Sequence, residues 1–204
     1  YVARLRSYGI GFPTTAQVVS EVFKDFNVHQ ARVPWNFPVS LADELRGLGI
    51  GIDVEPGTFW KQREIKTREE IRHIRESLRA AEAGMEAGIA ALGRTGISSS
   101  GYLELDGTRL TSEILKAVIN TTIMERGCVP SHTIVASGEQ AVNPHNEGSG
   151  PIRADNSIII DIFPRSQKTG YFGDITRTVV RGRASDRLKD AYESVKQAQQ
   201  IMTD

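Results

Sequence analysis

The stretch from Asn143 to Val180 reads NPHNEGSGPIRADNSIIIDIFPRSQKTGYFGDITRTVV, and the fold of the region around it depends on this stretch. Its segment SIIIDIF, which begins at Ser157, is almost wholly apolar and is ended by Pro164. It therefore predicts a strand that is buried on both faces. The segment YFGDITRTVV alternates between apolar and polar residues, as a half-buried strand does. The polar turn RSQKTG between the two segments closes with glycine, which indicates a β-hairpin.

Two aspartates face each other in this predicted hairpin. Asp161 and Asp174 are symmetric about the middle of the polar turn, so the pattern places them directly opposite, with Cβ atoms about 4.5–5.5 Å apart. Two ionised carboxylates in an apolar sheet repel each other and lose hydration, so we expect something to neutralise them. A shared proton, a buried Arg or Lys, or one or two metal ions would do so.

The competing interpretation is a structural ion pair with a basic residue of the hairpin. Arg165 and Lys168 lie in the turn, and alternation directs Arg177 to the face opposite Asp174, so none of the three is well placed. The residues alone leave a metal site and a salt bridge open. Thr176 shares a face with Asp174 and is predicted to donate a hydrogen bond to a ligand carboxylate.

Three strings carry a resemblance to a known family: SGEQAVNPHNEGSG, DNSIIIDIF and GYFGDITRTVV. They resemble the pita-bread metallopeptidases, which include aminopeptidase P, prolidase and methionine aminopeptidase, together with their metal-free relative creatinase. The resemblance covers residues 61–204 and is most specific at GYFGDITRT. It implies that Asp161 and Asp174 are metal ligands. It also implies that His145 contacts the substrate or stabilises the tetrahedral intermediate.

The chain departs from the family pattern in two respects. Twelve residues separate Asp161 from Asp174, where the family has about ten, and two extra residues preserve the alternation, so both side chains still share a face. The resemblance also implies one histidine and two glutamates downstream of the hairpin, and no residue up to Asp204 matches them. We therefore expect an incomplete metal site, and we expect the chain to be an incomplete portion of the enzyme.

Composition excludes several classes of partner. Basic and acidic residues number 25 each, so the formal net charge is zero, which predicts no nucleic-acid partner and no anionic membrane. No apolar run approaches the length that spans a bilayer, and no signal peptide is visible. The single cysteine, Cys128, excludes an internal disulfide and suits a reducing compartment, so the sequence predicts a cytoplasmic protein.

The chain is predicted to hold parts of two domains. Residues 1–60 predict a helix–strand–helix–strand order, which is typical of the end of a parallel α/β domain. This part resembles the end of the N-terminal domain of aminopeptidase P, prolidase and creatinase, a domain that methionine aminopeptidases lack. Residues 61–204 are expected to be the first half of a pita-bread domain. The predicted fold class is therefore α/β (α+β).

A long linking helix is predicted at about residues 67–93, with a capping box at Thr67 and Glu70. An apolar stripe at steps of three and four predicts its buried face: Ile71, Ile74, Leu78, Ala81, Met85, Ile89 and Leu92. Gly84 and Gly88 predict close packing of this helix against a sheet.

Other polar residues have plainer interpretations. His73 lies off the apolar stripe and is predicted to be solvated. His132, at the start of the strand HTIVASG, is predicted to be structural, and Glu147 is predicted to be a solvated loop residue. Apart from the resemblance, His145 is typical of a turn residue, because it follows proline in a loop rich in glycine and asparagine.

Together with the resemblance, these residues predict a dinuclear metallopeptidase of the Xaa-Pro aminopeptidase or Xaa-Pro dipeptidase type, which cleaves the bond preceding proline. The resemblance implies two divalent metal ions, manganese foremost, with cobalt, iron, zinc or magnesium as alternatives. It also implies a proline-containing peptide as substrate and a second copy of the chain in a homodimer. Two alternatives remain open, namely a creatinase-like C–N hydrolase without metal and a metal-free binding module on the same fold.

Overall fold

The computed structural model of the chain describes residues 1–203 and divides the chain into two compact units. The first unit runs from Tyr1 to Lys66, and the second begins at Thr67. Within the described residues, no helix is long and apolar enough to cross a membrane.

The first unit is a small α/β unit. Its elements are α1 (Val2–Ser7), α2 (Thr15–Asp25), β1 (Gln30–Pro34), α3 (Val39–Gly47) and β2 (Gly51–Glu55), followed by a 3₁₀ helix (Lys61–Arg63). β1 and β2 pair in parallel, which confirms the predicted order of helix, strand, helix and strand. α2 begins with a capping box in which Thr14 and Gln17 accept hydrogen bonds from each other's backbone N–H groups. Ala16, Leu45 and Ile50 form the buried core of this unit.

The second unit is built around a three-stranded antiparallel sheet. Its elements are α4 (Arg68–Gly93), β3 (Gly96–Ile97), β4 (Leu103–Leu105), β5 (Thr108–Arg109), α5 (Ser112–Glu125), β6 (Cys128–Val129), β7 (Ile134–Ser137), a 3₁₀ helix (Gly138–Val142), β8 (Ser157–Ile162), β9 (Arg165–Ser166), β10 (Ile175–Val180) and α6 (Asp186–Thr203). The strand order in the main sheet is β10-β8-β7. β3, β4 and β5 form a second antiparallel sheet, and β6 pairs with β9.

α4 packs closely against α5 through two glycines. A Cβ atom added at Gly84 would lie 2.8 Å from Ile123, and one added at Gly88 would lie 2.9 Å from Ile119. The predicted packing of these glycines against a sheet holds only in part, because their nearest neighbours are on α5 and only Gly88 also approaches the sheet, where an added Cβ atom would lie 3.9 Å from Ile160. The predicted apolar stripe is also wrong in part, since Ile71 is 45% exposed. The face that α4 buries consists mainly of small residues, which allow the two helix axes to approach: Ser77, Ala80, Ala81, Gly84, Met85, Gly88, Ala91 and Leu92.

The central strand β8 is buried fully on one face only. Ile158, Ile160 and Ile162 are wholly buried in the core that also includes residues of α4 and α5. Ile159 and Asp161 on the other face are half-buried. The predicted burial of this strand on both faces is therefore wrong for the described residues, and the face that carries Asp161 is the accessible one.

A carboxylate fixes the start of α5 to the loop before β8. The backbone N–H of Gly150 donates to both carboxylate oxygens of Glu113, at 3.0 and 3.2 Å. Hydrogen bonds from Thr111, from the backbone of Glu113 itself and from Gly150 lower the pKa of Glu113 below its ordinary value of 4.5. The ionised form of Glu113 therefore stabilises the folded state.

The contribution of Glu113 is expected to depend on pH. Because its pKa is lower in the folded state, its stabilisation is present above about pH 4.5 and is lost as the pH falls through the folded-state pKa. We expect Glu113→Gln to lower Tm by about 1–2 °C at pH 7, with the difference shrinking toward pH 3. Thermal unfolding followed by circular dichroism measures both values. Glu86→Gln, on the exposed face of α4, is the matched control, and a Tm difference independent of pH would contradict the assignment.

Candidate active site

Asp161 lies on the central strand of the main sheet. Its register partners are Ile134 on β7 and Thr176 on β10. The hydroxyl group of Thr176 donates a hydrogen bond of 2.5 Å to Oδ1 of Asp161. This contact fixes the orientation of the Asp161 carboxylate on the accessible face of the sheet.

The register of the hairpin differs from the predicted register by two residues. Asp161 pairs with Thr176, and Asp174 lies just before the start of β10. The prediction that the two aspartates are directly opposite is therefore wrong. A shift of two residues preserves the alternation of side chains, so Asp161 and Asp174 still share one face of the hairpin.

The geometry of the turn explains this shift. The backbone N–H of Ser166 donates to the carbonyl oxygen of Tyr171 at 2.9 Å, and the N–H of Gly170 donates to the carbonyl oxygen of Ser166 at 2.9 Å. Gly170 has a φ of +76°, which a residue with a side chain rarely adopts. Because the loop closes on this glycine, the turn is centred between Lys168 and Thr169, one residue later than the midpoint of the two aspartates.

The two carboxylates form a pair of like charges. Loss of hydration raises the pKa of Asp174 above its ordinary value, and repulsion from Asp161 raises it further. Within residues 1–203, no salt bridge involves either aspartate, and Arg165 and Arg177 donate instead to backbone carbonyl groups. The alternative of a structural ion pair is therefore not observed in the described part of the chain.

The chemistry of the pair fits one side of a metal site. Carboxylate oxygens are the donors that hard divalent cations prefer. Two such groups on one face, with the orientation of Asp161 fixed by Thr176, provide part of a coordination shell. Across the residues that the structure describes, no group of three or more His, Cys, Asp or Glu side chains is arranged to hold a metal. The pair therefore needs further ligands to complete a site.

The segment that carries Asp174 is pressed against α4. A Cβ atom added at Gly173 would lie 2.5 Å from the backbone atoms of Ser77 and Leu78. No side chain fits in this space, so glycine is required where the hairpin crosses the helix. The position of Asp174, the next residue, therefore follows from the position of the α4 backbone.

Tyr171 adds a second connection between the hairpin and α4. Its carbonyl oxygen accepts a hydrogen bond of 2.9 Å from Ser77, and its hydroxyl group donates to Glu70 at 2.8 Å. The ring of His73 stacks on the Tyr171 ring, with centroids 5.6 Å apart. The His73 side chain is only 21% exposed, so the prediction of a solvated histidine is wrong. Its partner is almost a hundred residues away, and local spacing gives no signal for such a contact.

The loop with His145 borders a small cavity beside Asp161. The cavity has a volume of about 240 Å³, and its lining includes Asn143 and Pro144 from this loop together with Asp161 and Thr176. Apolar side chains form the rest: Ile134, Ala136, Ala141, Val142 and Ile159. His145 is exposed, and its backbone N–H donates to the side chain of Asn143 at 3.0 Å. The structure thus places the His145 loop at the site, while the imidazole ring forms no hydrogen bond to the described residues.

His132 and Glu147 form a side-chain contact that the sequence does not predict. Nδ1 of His132 lies 2.7 Å from Oε1 of Glu147. Glu147 is an exposed loop residue, as predicted, and it also contacts His132. His132 has a φ of +53°, an uncommon conformation for a residue with a side chain. Fourteen residues separate the two partners, and the return of the chain from β7 to β8 brings them together.

Comparisons with known proteins agree with this architecture. The model of metallopeptidase family M24 matches residues 72–204. The Xaa-Pro dipeptidase of Lactobacillus delbrueckii subsp. lactis is 27% identical over 140 residues, which are 68% of this chain and 34% of that protein. The chain thus spans about a third of the length of this curated relative.

Two solved structures share the fold. The Xaa-Pro dipeptidase from Bacillus anthracis has a TM-score of 0.75 at 22% identity, over 98% of this chain and 55% of its own. The prolidase from Pyrococcus furiosus has a TM-score of 0.73 at 21% identity, over 93% of this chain and 52% of its own. These likenesses confirm the predicted fold class, and the chain spans about half of each solved chain.

Gly173→Ala is expected to destabilise the fold, because the new methyl group meets the α4 backbone rather than a movable side chain. We expect a loss of about 1–3 kcal/mol in the free energy of unfolding, measured by urea denaturation. Gly93→Ala is the matched control, since a Cβ atom there meets no atom within 4 Å at the end of α4. Equal stability of Gly173→Ala and the unmodified chain would contradict the close contact.

Asp174→Asn is expected to stabilise the metal-free chain at pH 7. The substitution removes a charge that loses hydration and is repelled by Asp161. We expect an increase in Tm of about 1–2 °C in the presence of a chelator. Asp190→Asn, on the exposed surface of α6, is the control for a general effect of charge. A lower Tm for Asp174→Asn would show that the ionised carboxylate is stabilised by a partner.

Proposed function

Because the chain belongs to metallopeptidase family M24, we propose that it is a portion of an enzyme that hydrolyses the peptide bond preceding proline. The observation that carries the proposal is the pair of carboxylates, Asp161 and Asp174, on one accessible face of the hairpin. Within residues 1–203 no basic side chain forms a salt bridge with either of them, so the pair is suited to a divalent cation. The similar Xaa-Pro dipeptidase supports the substrate class.

We propose that Asp161 and Asp174 hold two divalent metal ions together with ligands from outside residues 1–203. Manganese is the proposed metal, and cobalt, iron or zinc would accept the same oxygen donors. When bound, such ions polarise the scissile carbonyl group and lower the pKa of water. Thr176 keeps the Asp161 carboxylate in a fixed orientation through its 2.5 Å hydrogen bond.

His145 is the proposed catalytic residue in this part of the chain. Its loop forms a wall of the cavity that contains Asp161 and Thr176. From there its imidazole would donate a hydrogen bond to the oxyanion that develops on the substrate carbonyl oxygen. The backbone hydrogen bond from His145 to Asn143 holds the loop in place beside the carboxylates.

The domain organisation, the oligomeric state and the cellular location of the enzyme are proposed from the same family membership. Residues 1–60 are assigned to the end of an N-terminal domain, and residues 61–204 to the first half of the catalytic domain. The division of the chain at Lys66 supports two domains. Following the family resemblance, we propose a homodimer. A cytoplasmic location is supported by the single cysteine, Cys128, which is buried and unpaired.

The metal-free alternatives are a C–N hydrolase of the creatinase type and a binding module on the same fold. Both would leave Asp174 with reduced hydration and next to Asp161, with no cation to offset the repulsion. The repulsion disfavours the ionised pair, to an extent limited by the exposure of Asp174 to solvent. In a metal-dependent peptidase, bound cations would offset the repulsion between the two carboxylates, so this is the function we favour.

Metal removal from the full-length protein tests the proposal. We expect a chelator to abolish hydrolysis of an Xaa-Pro dipeptide and Mn²⁺ to restore it, with about two metal ions per chain measured by mass spectrometry. Asp174→Asn is expected to remove both metal and activity, whereas Asp190→Asn should retain both. Full activity without metal would overturn the proposal in favour of the creatinase type. A folded protein that binds no metal and hydrolyses no peptide would favour the binding module.

A further inference from the structure

The two aspartates of the candidate site are held in different ways. Thr176 donates a hydrogen bond to the carboxylate of Asp161. No group within residues 1–203 donates a hydrogen bond to the carboxylate of Asp174, which lies just outside β10. The position of this second carboxylate therefore depends on the backbone that carries it and on the contacts that fix that backbone.

Tyr171, three residues before Asp174, is attached to α4 at two points. Its carbonyl oxygen accepts a hydrogen bond of 2.9 Å from the buried side chain of Ser77. Its hydroxyl group donates to Oε1 of Glu70 at 2.8 Å. The two contacts lie about two turns apart on the helix. Because the main chain and the hydroxyl group are held separately, a rotation of Tyr171 would break one of these bonds.

Glu70 is itself fixed, because it belongs to the capping box at the start of α4. Its Oε2 accepts the backbone N–H of Thr67 at 2.7 Å, and its own backbone N–H donates to Oγ1 of Thr67 at 3.2 Å. One carboxylate oxygen therefore caps the helix, and the other accepts the Tyr171 hydroxyl group. A hydrogen bond to a carboxylate is shorter and stronger than one to a neutral acceptor. The hydroxyl group thus has a firmly placed partner.

The imidazole ring of His73 covers the Tyr171 ring, with their planes 28° apart. Glu69 and Glu76 flank this imidazole, at nitrogen–oxygen distances of 3.7 and 3.6 Å. The stack involves only the two rings, so it does not depend on the Tyr171 hydroxyl group. Removal of the hydroxyl group would therefore change one hydrogen bond and leave the ring packing in place.

A metal ligand needs closer control of its position than an ordinary packed side chain does. Groups in such a site have to be held within about 0.5 Å of the productive geometry. Loss of a contact that orients a metal ligand typically costs about 10- to 100-fold in metal affinity or activity. For Asp161 this contact is the hydrogen bond from Thr176. For Asp174 the nearest such contacts are those of Gly173 and Tyr171 with α4.

We propose that Tyr171 is a positioning residue for Asp174 and that its hydrogen bond to Glu70 holds this carboxylate where a divalent cation binds. The inference rests on the proposed function and adds to it a residue that touches neither the cation nor the substrate. Tyr171 acts through the short segment that follows it, in which Gly173 is pressed against the α4 backbone.

Tyr171→Phe in the full-length protein tests this role, because it removes the hydroxyl group and keeps the ring that stacks on His73. We expect the Kd for Mn²⁺, measured by isothermal titration calorimetry on chelator-treated protein, to rise about 10-fold. Hydrolysis of an Xaa-Pro dipeptide should fall at limiting Mn²⁺ and recover at saturating Mn²⁺, with KM for the peptide unchanged. A residue with only a structural role would instead lower the Tm of the metal-free protein and leave the Kd for Mn²⁺ unchanged.

Glu70→Gln tests the same hydrogen bond from its other end. Gln17 completes the capping box of α2, so glutamine at residue 70 is expected to keep the cap of α4. With its single oxygen bound to the N–H of Thr67, the amide presents its NH₂ group to Tyr171 and loses the charge-assisted contact. We expect a rise in the Kd for Mn²⁺ here too. The double variant should match Tyr171→Phe alone, because both changes act on one bond.

Tyr192→Phe is the matched control, because it removes a hydroxyl group from the exposed surface of α6, and it should leave the Kd for Mn²⁺ unchanged. A Kd for Tyr171→Phe within about twofold of the wild-type value, or losses that multiply in the double variant, would overturn the positioning role and leave the proposed function intact. Wild-type protein that binds no Mn²⁺ and hydrolyses no Xaa-Pro peptide would overturn the proposed function and this inference together.

Discussion

The close approach of Gly173 to the backbone of α4 is the contact on which the candidate site depends. No Cβ atom fits between Gly173 and the backbone of Ser77 and Leu78, so the distance between hairpin and helix is set by main-chain atoms. The hydrogen bond from Ser77 to Tyr171 fixes the strand along the helix. α4 is itself packed on α5, where the buried side chains of Ile119 and Ile123 fill the space above Gly84 and Gly88, so the helix has little freedom to adjust. This rigidity places Asp174 on the same face as Asp161.

The same placement puts two like charges close together, which disfavours the folded state when no ligand is bound. Loss of hydration and repulsion raise the pKa of Asp174, and the described residues supply no cation in return. A folded protein retains such a pair when binding of a ligand offsets the cost, which is the usual relation between stability and function at a site. Thr176 donates a hydrogen bond to Asp161 without neutralising it, so it orients the carboxylate and leaves its charge available.

Local patterns in the sequence predict the strands, the capped helices and the face that both aspartates share. Alternation fixes that face, and it survives a register shift of two residues. The register itself was not predictable, because it depends on the left-handed conformation of Gly170, which moves the centre of the turn. The contacts of His73 with Tyr171 and of His132 with Glu147 join segments that are distant in sequence, so spacing along the chain carries no signal for them. The sequence pattern predicts Ala81, Met85 and Leu92 on the buried face of α4 but not the small residues around them, because close helix packing selects small residues rather than the largest apolar ones.

The length of the turn can change without moving the aspartates. β8 is held by β7 on one edge and by β10 on the other, and the contact at Gly173 fixes the chain where it leaves the turn. Residues added between these fixed points are therefore accommodated at the tip, where β9 pairs with β6 and Arg165 and Phe172 line a cavity of about 720 Å³. Because Gly173 is held against α4, Asp174 stays on the face of Asp161 when the tip takes up such residues. The carboxylate pair and the tip of the hairpin are thus structurally separable, so the tip can change in length while the carboxylates stay in place.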